Sequence, residues 1–66
     1  MPTEVTTRKG ASAPTTRIVK ESAKSVADEV NTAIAGKLKF VVLTDNETGD
    51  EFSVVAAEVR DIKTVS

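Results

Sequence analysis

Apolar positions concentrate in one stretch, Leu38 to Ser66, which reads LKFVVLTDNETGDEFSVVAAEVRDIKTVS. Leu38–Thr44 predicts a strand, with Leu38, Phe40 and Val42 on one face and Lys39, Val41 and Leu43 on the other. Asp45–Asp50, DNETGD, predicts a tight turn in which Gly49 is free to take a positive φ. Glu51–Val55 reads as the returning strand, and Phe52 and Val54 are expected to share a face with Phe40 and Val42. The two-residue period is lost over Ala56–Val59, which predicts a corner or a single helical turn. Arg60–Val65 then predicts a last strand with Ile62 inward.

Upstream, Ala23, Val26, Ala27, Val30, Ala33 and Ile34 recur at three- and four-residue steps. That spacing predicts a helix over Ser22–Gly36 with one narrow apolar stripe. Ser22 is the expected N-cap, with Ser25 and Asp28 as a later capping-box variant. Gly36 stands where a left-handed C-terminal residue belongs. Thr16–Glu21, TRIVKE, predicts a short strand with Ile18 and Val19 on opposite faces. Before it, MPTEVTTRKGASAPTT has Val5 as its one large apolar residue after Met1. Such a segment offers little apolar surface against its ordering entropy. It is expected to be an extended arm over residues 1–16, flexible or ordered by a partner, ahead of a single domain over residues 17–66.

The order β-α-β-β-β predicts a small α+β domain, an antiparallel sheet of about three or four strands with one helix packed on one face. The helix is expected to cover Leu38, Phe40, Val42, Phe52, Val54 and Ile62. Val41, Leu43 and Val55 would then stand on the open face, beside Lys39, Glu51 and Ser53. Three aliphatic side chains are more than a wet face calls for. Cover by the leading arm or a bend of the sheet would account for them, and so would a contact patch for another subunit. Burial of each is worth about 1.5–3 kcal/mol. The candidate protein-contact residues are therefore Val41, Leu43 and Val55, with Val5, Arg8 and Lys9 from the arm.

Composition narrows the chemistry. The chain has 66 residues and no Cys or His, which removes disulfides, thiolate chemistry and nearly every zinc or haem site. A chain this short is marginal alone, so self-association or docking on a protein partner becomes the expected support. Net charge is −1, and two Phe are the only aromatics, so neither a basic footprint nor a base-stacking platform is present. Nucleic-acid contact is left to Arg8, Lys9, Arg17, Lys20 and Lys24, a modest basic lean that surface charge also explains. No apolar run is long enough to span a membrane and no signal-peptide core opens the chain, so a soluble protein made in the cytoplasm is expected.

Asp45, Glu47, Asp50 and Glu51 form the one carboxylate cluster, but their spacing does not complete a calcium loop. Asn46-Glu47-Thr48 fits a glycosylation sequon, which carries meaning only in a secreted chain. A Ser–Lys nucleophile is compositionally open, while nucleophile elbows, phosphate-cradling loops and dinucleotide fingerprints are missing. The expectation is a protein with no catalytic, cofactor-binding or metal-binding residues and no small-molecule substrate.

From Ser25 the chain carries SVADEV, then AIAGKLKFVVLTD, a turn glycine, and VVAAEVRDI. This run resembles a helix-then-hairpin pattern in small uncharacterised actinobacterial proteins. The strand–turn–strand–corner–strand rhythm is also similar to short accessory proteins of tailed bacteriophages. The resemblance covers about the last two-thirds of the chain and departs from it in the leading half. It transfers no functional residue. What it implies is a bacterial or phage assembly role, such as a capsid decoration or minor capsid component that ends in the virion. A small adaptor that modulates one bacterial host protein is the alternative.

Overall fold

A computed structural model of the chain describes residues 1–65; position 66, the end of the expected domain, lies outside them. The order of elements is β1 (Thr3–Thr7), β2 (Thr15–Val19), α1 (Ala23–Ala35), β3 (Phe40–Thr44), β4 (Glu51–Val55), a single 3₁₀ turn (Ala56–Glu58) and β5 (Val59–Thr64). This is the small α+β fold expected, with one strand more and with the strands divided between two antiparallel sheets. One sheet runs β2-β1-β5 and the other is the hairpin β3-β4. The sheets meet at a corner, where Val19 bridges Asp45. There the Lys20 N–H donates to Thr44 O at 2.9 Å and the Asn46 N–H to Ile18 O at 3.0 Å. At the other end the 3₁₀ turn carries β4 into β5.

The leading segment is not an arm. Thr3–Thr7 is the central strand of the larger sheet, paired with β2 from Thr3↔Val19 to Thr7↔Thr15. Its other edge pairs with β5, from Thr3↔Thr64 through Val5↔Ile62. Two neighbours supply the hydrogen bonds and cover that the segment lacks in isolation. Val5 is 2 % exposed and Thr3 is fully buried, its Oγ1 donating to Glu21 O at 2.6 Å.

Helix α1 starts where the cap chemistry places it. Ser22 Oγ accepts from the Ser25 N–H at 3.2 Å. Its stripe buries Val26, Val30 and Ala33, whereas Ile34 stays exposed. The C-terminal end departs from expectation. Gly36 has φ −85°, and Lys37 takes the left-handed conformation at φ 59°. The Leu38 N–H donates to Ala33 O at 2.7 Å and the Lys37 N–H to Ile34 O at 3.2 Å. This is a Schellman ending shifted by one residue, with the strained position held by a lysine.

The face assignment of the hairpin is corrected by its register. Asp45 N–H donates to Asp50 O, and the ladder then sets Leu43 against Phe52 and Val41 against Val54. Facing residues of an antiparallel pair project to the same side. Val41 and Leu43 therefore point inward with Phe52 and Val54, and Phe40 and Val42 point outward with Val55 and Ser53. Leu43 is fully buried and Val41 is 5 % exposed, while Phe40 and Val42 are each 53 % exposed. The core consists of Val5, Val19, Val26, Val30, Ala33, Val41, Leu43 and Ala56, with Phe52, Val54, Val59 and Ile62 packed against it.

A carboxylate holds the corner between the sheets. Both oxygens of Glu21 accept from the Thr44 N–H at 3.0 Å, and Oε2 also accepts from Thr44 Oγ1 at 3.0 Å. Hydrogen bonds to a charged, half-buried group are worth about 1.5–3 kcal/mol. Urea denaturation is expected to show a loss of about that size for Glu21→Ala and a smaller one for Glu21→Gln, which keeps an acceptor. Lys37→Gly is expected to gain roughly 0.5–1 kcal/mol, the left-handed penalty removed less the added chain entropy of glycine. A melting temperature at or below wild type for Lys37→Gly would contradict that ending of the helix.

Candidate functional site

Two surface features remain once the core is accounted for. The first is the tip of the β3–β4 hairpin and the strand beside it. Asp45 organises this tip: its Oδ1 accepts from the Glu47 N–H at 2.8 Å and the Thr48 N–H at 3.0 Å. Its Oδ2 accepts from Arg17 Nη2 at 3.1 Å. Gly49, at φ 79°, closes the turn as its residue type predicts. The Arg17 guanidinium also lies 3.7 Å from the centroid of the Phe52 ring, a stacked cation–π contact across the gap between the sheets. Both oxygens of Asp45 are thus engaged in holding the turn and closing the corner. Thr16, Arg17, Ile18, Asp45, Asn46 and Glu47 line a depression of about 530 Å³ here.

The Asp45 carboxyl titrates below its ordinary value of 3.8. The Thr48 N–H is the main cause, followed by the Arg17 hydrogen bond and the Glu47 N–H, with desolvation opposing them.

The second feature is apolar. Leu38, Phe40 and Val42 are exposed along β3 and the residues leading into it, and Ile34 is exposed on the last turn of α1. Between the helix and β3 runs a groove of about 310 Å³, lined by Asp28, Glu29, Thr32 and Ala33 on one side and Leu38, Phe40, Val41 and Val42 on the other. The backbone of β3 adds to it. Asp45, Leu43, Val41 and Lys39 turn their peptide groups toward β4, as the Ala56 N–H to Lys39 O bond of 2.9 Å confirms at the far end. Phe40, Val42 and Thr44 turn theirs away. Those of Thr44 are taken by Glu21 and Lys20. Among the described residues, the N–H and C=O groups of Phe40 and Val42 form no hydrogen bond. This is an open strand edge beside an apolar surface.

The contact residues expected from the sequence fall in three places. Val5, Val41 and Leu43 come together in the core and present no surface, which corrects their assignment as a contact patch. Val55 alone stands on the outer face, half-buried opposite Phe40. Arg8 and Lys9 are exposed where the chain turns from β1 to β2, and Arg8 Nε donates to Ser12 O at 3.0 Å. The sequence pattern places Phe40 and Val42 under the helix and so does not mark them as contact residues, whereas both are exposed. Counting back from the Asp45–Asp50 turn closure would have placed them outside.

No helix among the described residues is long and apolar enough to cross a membrane. Compared with protein-family models, curated proteins and solved structures, the chain matches none of them.

A group with a depressed folded-state pKa contributes stability that is fully present above its unfolded value and lost as pH falls through the folded one. The stability difference between wild type and Asp45→Asn is therefore expected to hold steady near neutral pH and to close below pH 3.8. Denaturation midpoints followed through acid check this. A difference that stays constant or widens in acid would refute the role given to Asp45.

Proposed function

We propose that this chain is a non-enzymatic assembly protein that acts through protein–protein contact. The contact surface is the outer side of β3, with Leu38, Phe40 and Val42. The observation that carries this reading is the coincidence of an apolar exposed face with unbonded peptide groups on the same strand. Exposed apolar residues in isolation are ordinary, whereas apolar residues lined up on an open strand edge offer both burial and directional hydrogen bonds to a partner. At the polar tip, the Asp45 carboxylate is occupied in holding its own turn.

The setting we propose is the virion of a tailed bacteriophage, where the chain serves as a capsid decoration or minor capsid component after synthesis in the cytoplasm. The support for that setting is the resemblance carried by SVADEV, AIAGKLKFVVLTD and VVAAEVRDI. Two lysine substitutions, Phe40→Lys and Val42→Lys, test the contact surface, since neither side chain belongs to the core.

In extracts of the native source fractionated by size, wild-type chain is expected in a particle-sized fraction. The double variant is expected as the free chain, with its circular dichroism unchanged. Recovery of the wild-type chain only as a free species would remove the reading. Recovery with one stoichiometric host protein, and no particle, would replace the virion setting with an adaptor.

A further inference from the structure

We infer that the occupant of the open β3 edge is the same edge of a second copy of this chain, paired antiparallel about a two-fold axis through Val41. This rests on the contact surface assigned above and names its partner. Three features of the edge fit that occupant.

The first is hydrogen-bond parity. The outward peptide groups belong to Phe40 and Val42, which lie symmetrically about Val41. Under the two-fold, Phe40 of one chain faces Val42 of the other as a hydrogen-bonded pair, and the axis repeats the exchange. Every open N–H meets an open C=O, with none left over. The two hairpins become one continuous sheet, β4-β3-β3-β4.

The second is the side chains. Facing residues of an antiparallel pair share a side, so Phe40 stands against Val42 of the second copy on the outer face. Aromatic against β-branched is a favoured cross-strand pair. Phe40–Leu43 contains no Pro and no charge, so Lys39 at the end of the paired stretch is its one charged residue. β4, the other edge of the same hairpin, carries Glu51 and Ser53.

The third is charge. Lys39 of the second copy falls opposite Leu43, on the helix side of the sheet. The chain doubles back after Gly36, so Asp28 and Glu29 line the groove there, beside Val42. Each copy thus brings a lysine to the acidic rim of the other. A foreign strand would have to supply a basic residue at that one position, and this chain already has it. In the single chain Lys39 Nζ lies 5.5 Å from the centroid of its own Phe40 ring.

A charge-swap cycle on the purified full chain tests the pairing, read by sedimentation equilibrium. Wild type is expected at twice the chain mass. Lys39→Glu alone, and Asp28→Lys with Glu29→Lys, are each expected to weaken self-association roughly tenfold through like-charge contact. All three substitutions together are expected to recover wild-type association to within about threefold. Melting curves at dilution check that each variant folds. Hydrogen exchange supplies a second reading: amide protection at Phe40 and Val42 is expected to rise with protein concentration.

A wild-type monomer at every concentration overturns the inference. So does dimerisation that neither reversal weakens, or a triple variant no stronger than the single reversals. If the pure chain is a monomer yet runs with particles in extracts, the second-copy pairing fails and the contact function stands. If it dimerises when pure and is never found on a particle, the pairing stands and the assembly reading fails.

Discussion

The register of one hairpin decides which side of this protein is inside. Strand β3 reads Phe-Val-Val-Leu-Thr, apolar at every position but the last, so it has no preferred face of its own. Strand β4 does alternate, Glu51 and Ser53 taking turns with Phe52 and Val54. The turn from Asp45 to Asp50 locks the two together, and the polar positions of β4 then choose the outward side for both. A slip of one residue would send Val41 and Leu43 into water and bring Phe40 and Val42 under the helix. Such a slip is opposed by four groups acting on Asp45: the Asp50 carbonyl, the Glu47 and Thr48 amides, and the Arg17 guanidinium.

Arg17 connects that local choice to the rest of the molecule. It comes from β2 in the other sheet, grips Asp45 and stacks on Phe52. Beside it Glu21 fixes Thr44, the last residue of β3. The corner between the sheets is thus held by polar and cation–π contacts at its rim, with Val19 and Leu43 fully buried in the core. A core built mainly of Val and Ala cannot rely on bulk, so directional contacts at the corner matter more here than in a larger domain.

Most elements were legible because their signals are local. Ser22 stands before a three-and-four spacing, so α1 began where its cap placed it. DNETGD contains both a turn-forming aspartate and a glycine free to take positive φ, and β4 follows it at the predicted bounds. Two things were hidden because they depend on partners distant in sequence. Thr3–Thr7 has one large apolar residue and reads as loose chain, yet becomes a central strand when β2 and β5 bond it on both edges. The inward face of β3 depends on the parity of the β3–β4 pairing, which periodicity within β3 cannot supply. The shift of the left-handed residue from Gly36 to Lys37 has a third cause, since the Schellman bonds run from Leu38 and Lys37, one residue beyond the glycine.

The exposed face of β3 follows from the same parity, but its apolar character does not. Once Val41 and Leu43 are inside, the fold asks of positions 40 and 42 only that they favour an extended backbone. Threonine would satisfy that demand and leave a wetted surface. The neighbouring sheet does this: β1 and β2 carry Thr6, Thr7, Thr15 and Thr16 along their paired stretch. Phenylalanine and valine, each about half exposed, therefore exceed what folding of the single chain requires. Their place beside open peptide groups gives that excess a physical use, because a second strand would bury the side chains and complete the hydrogen bonds in one step.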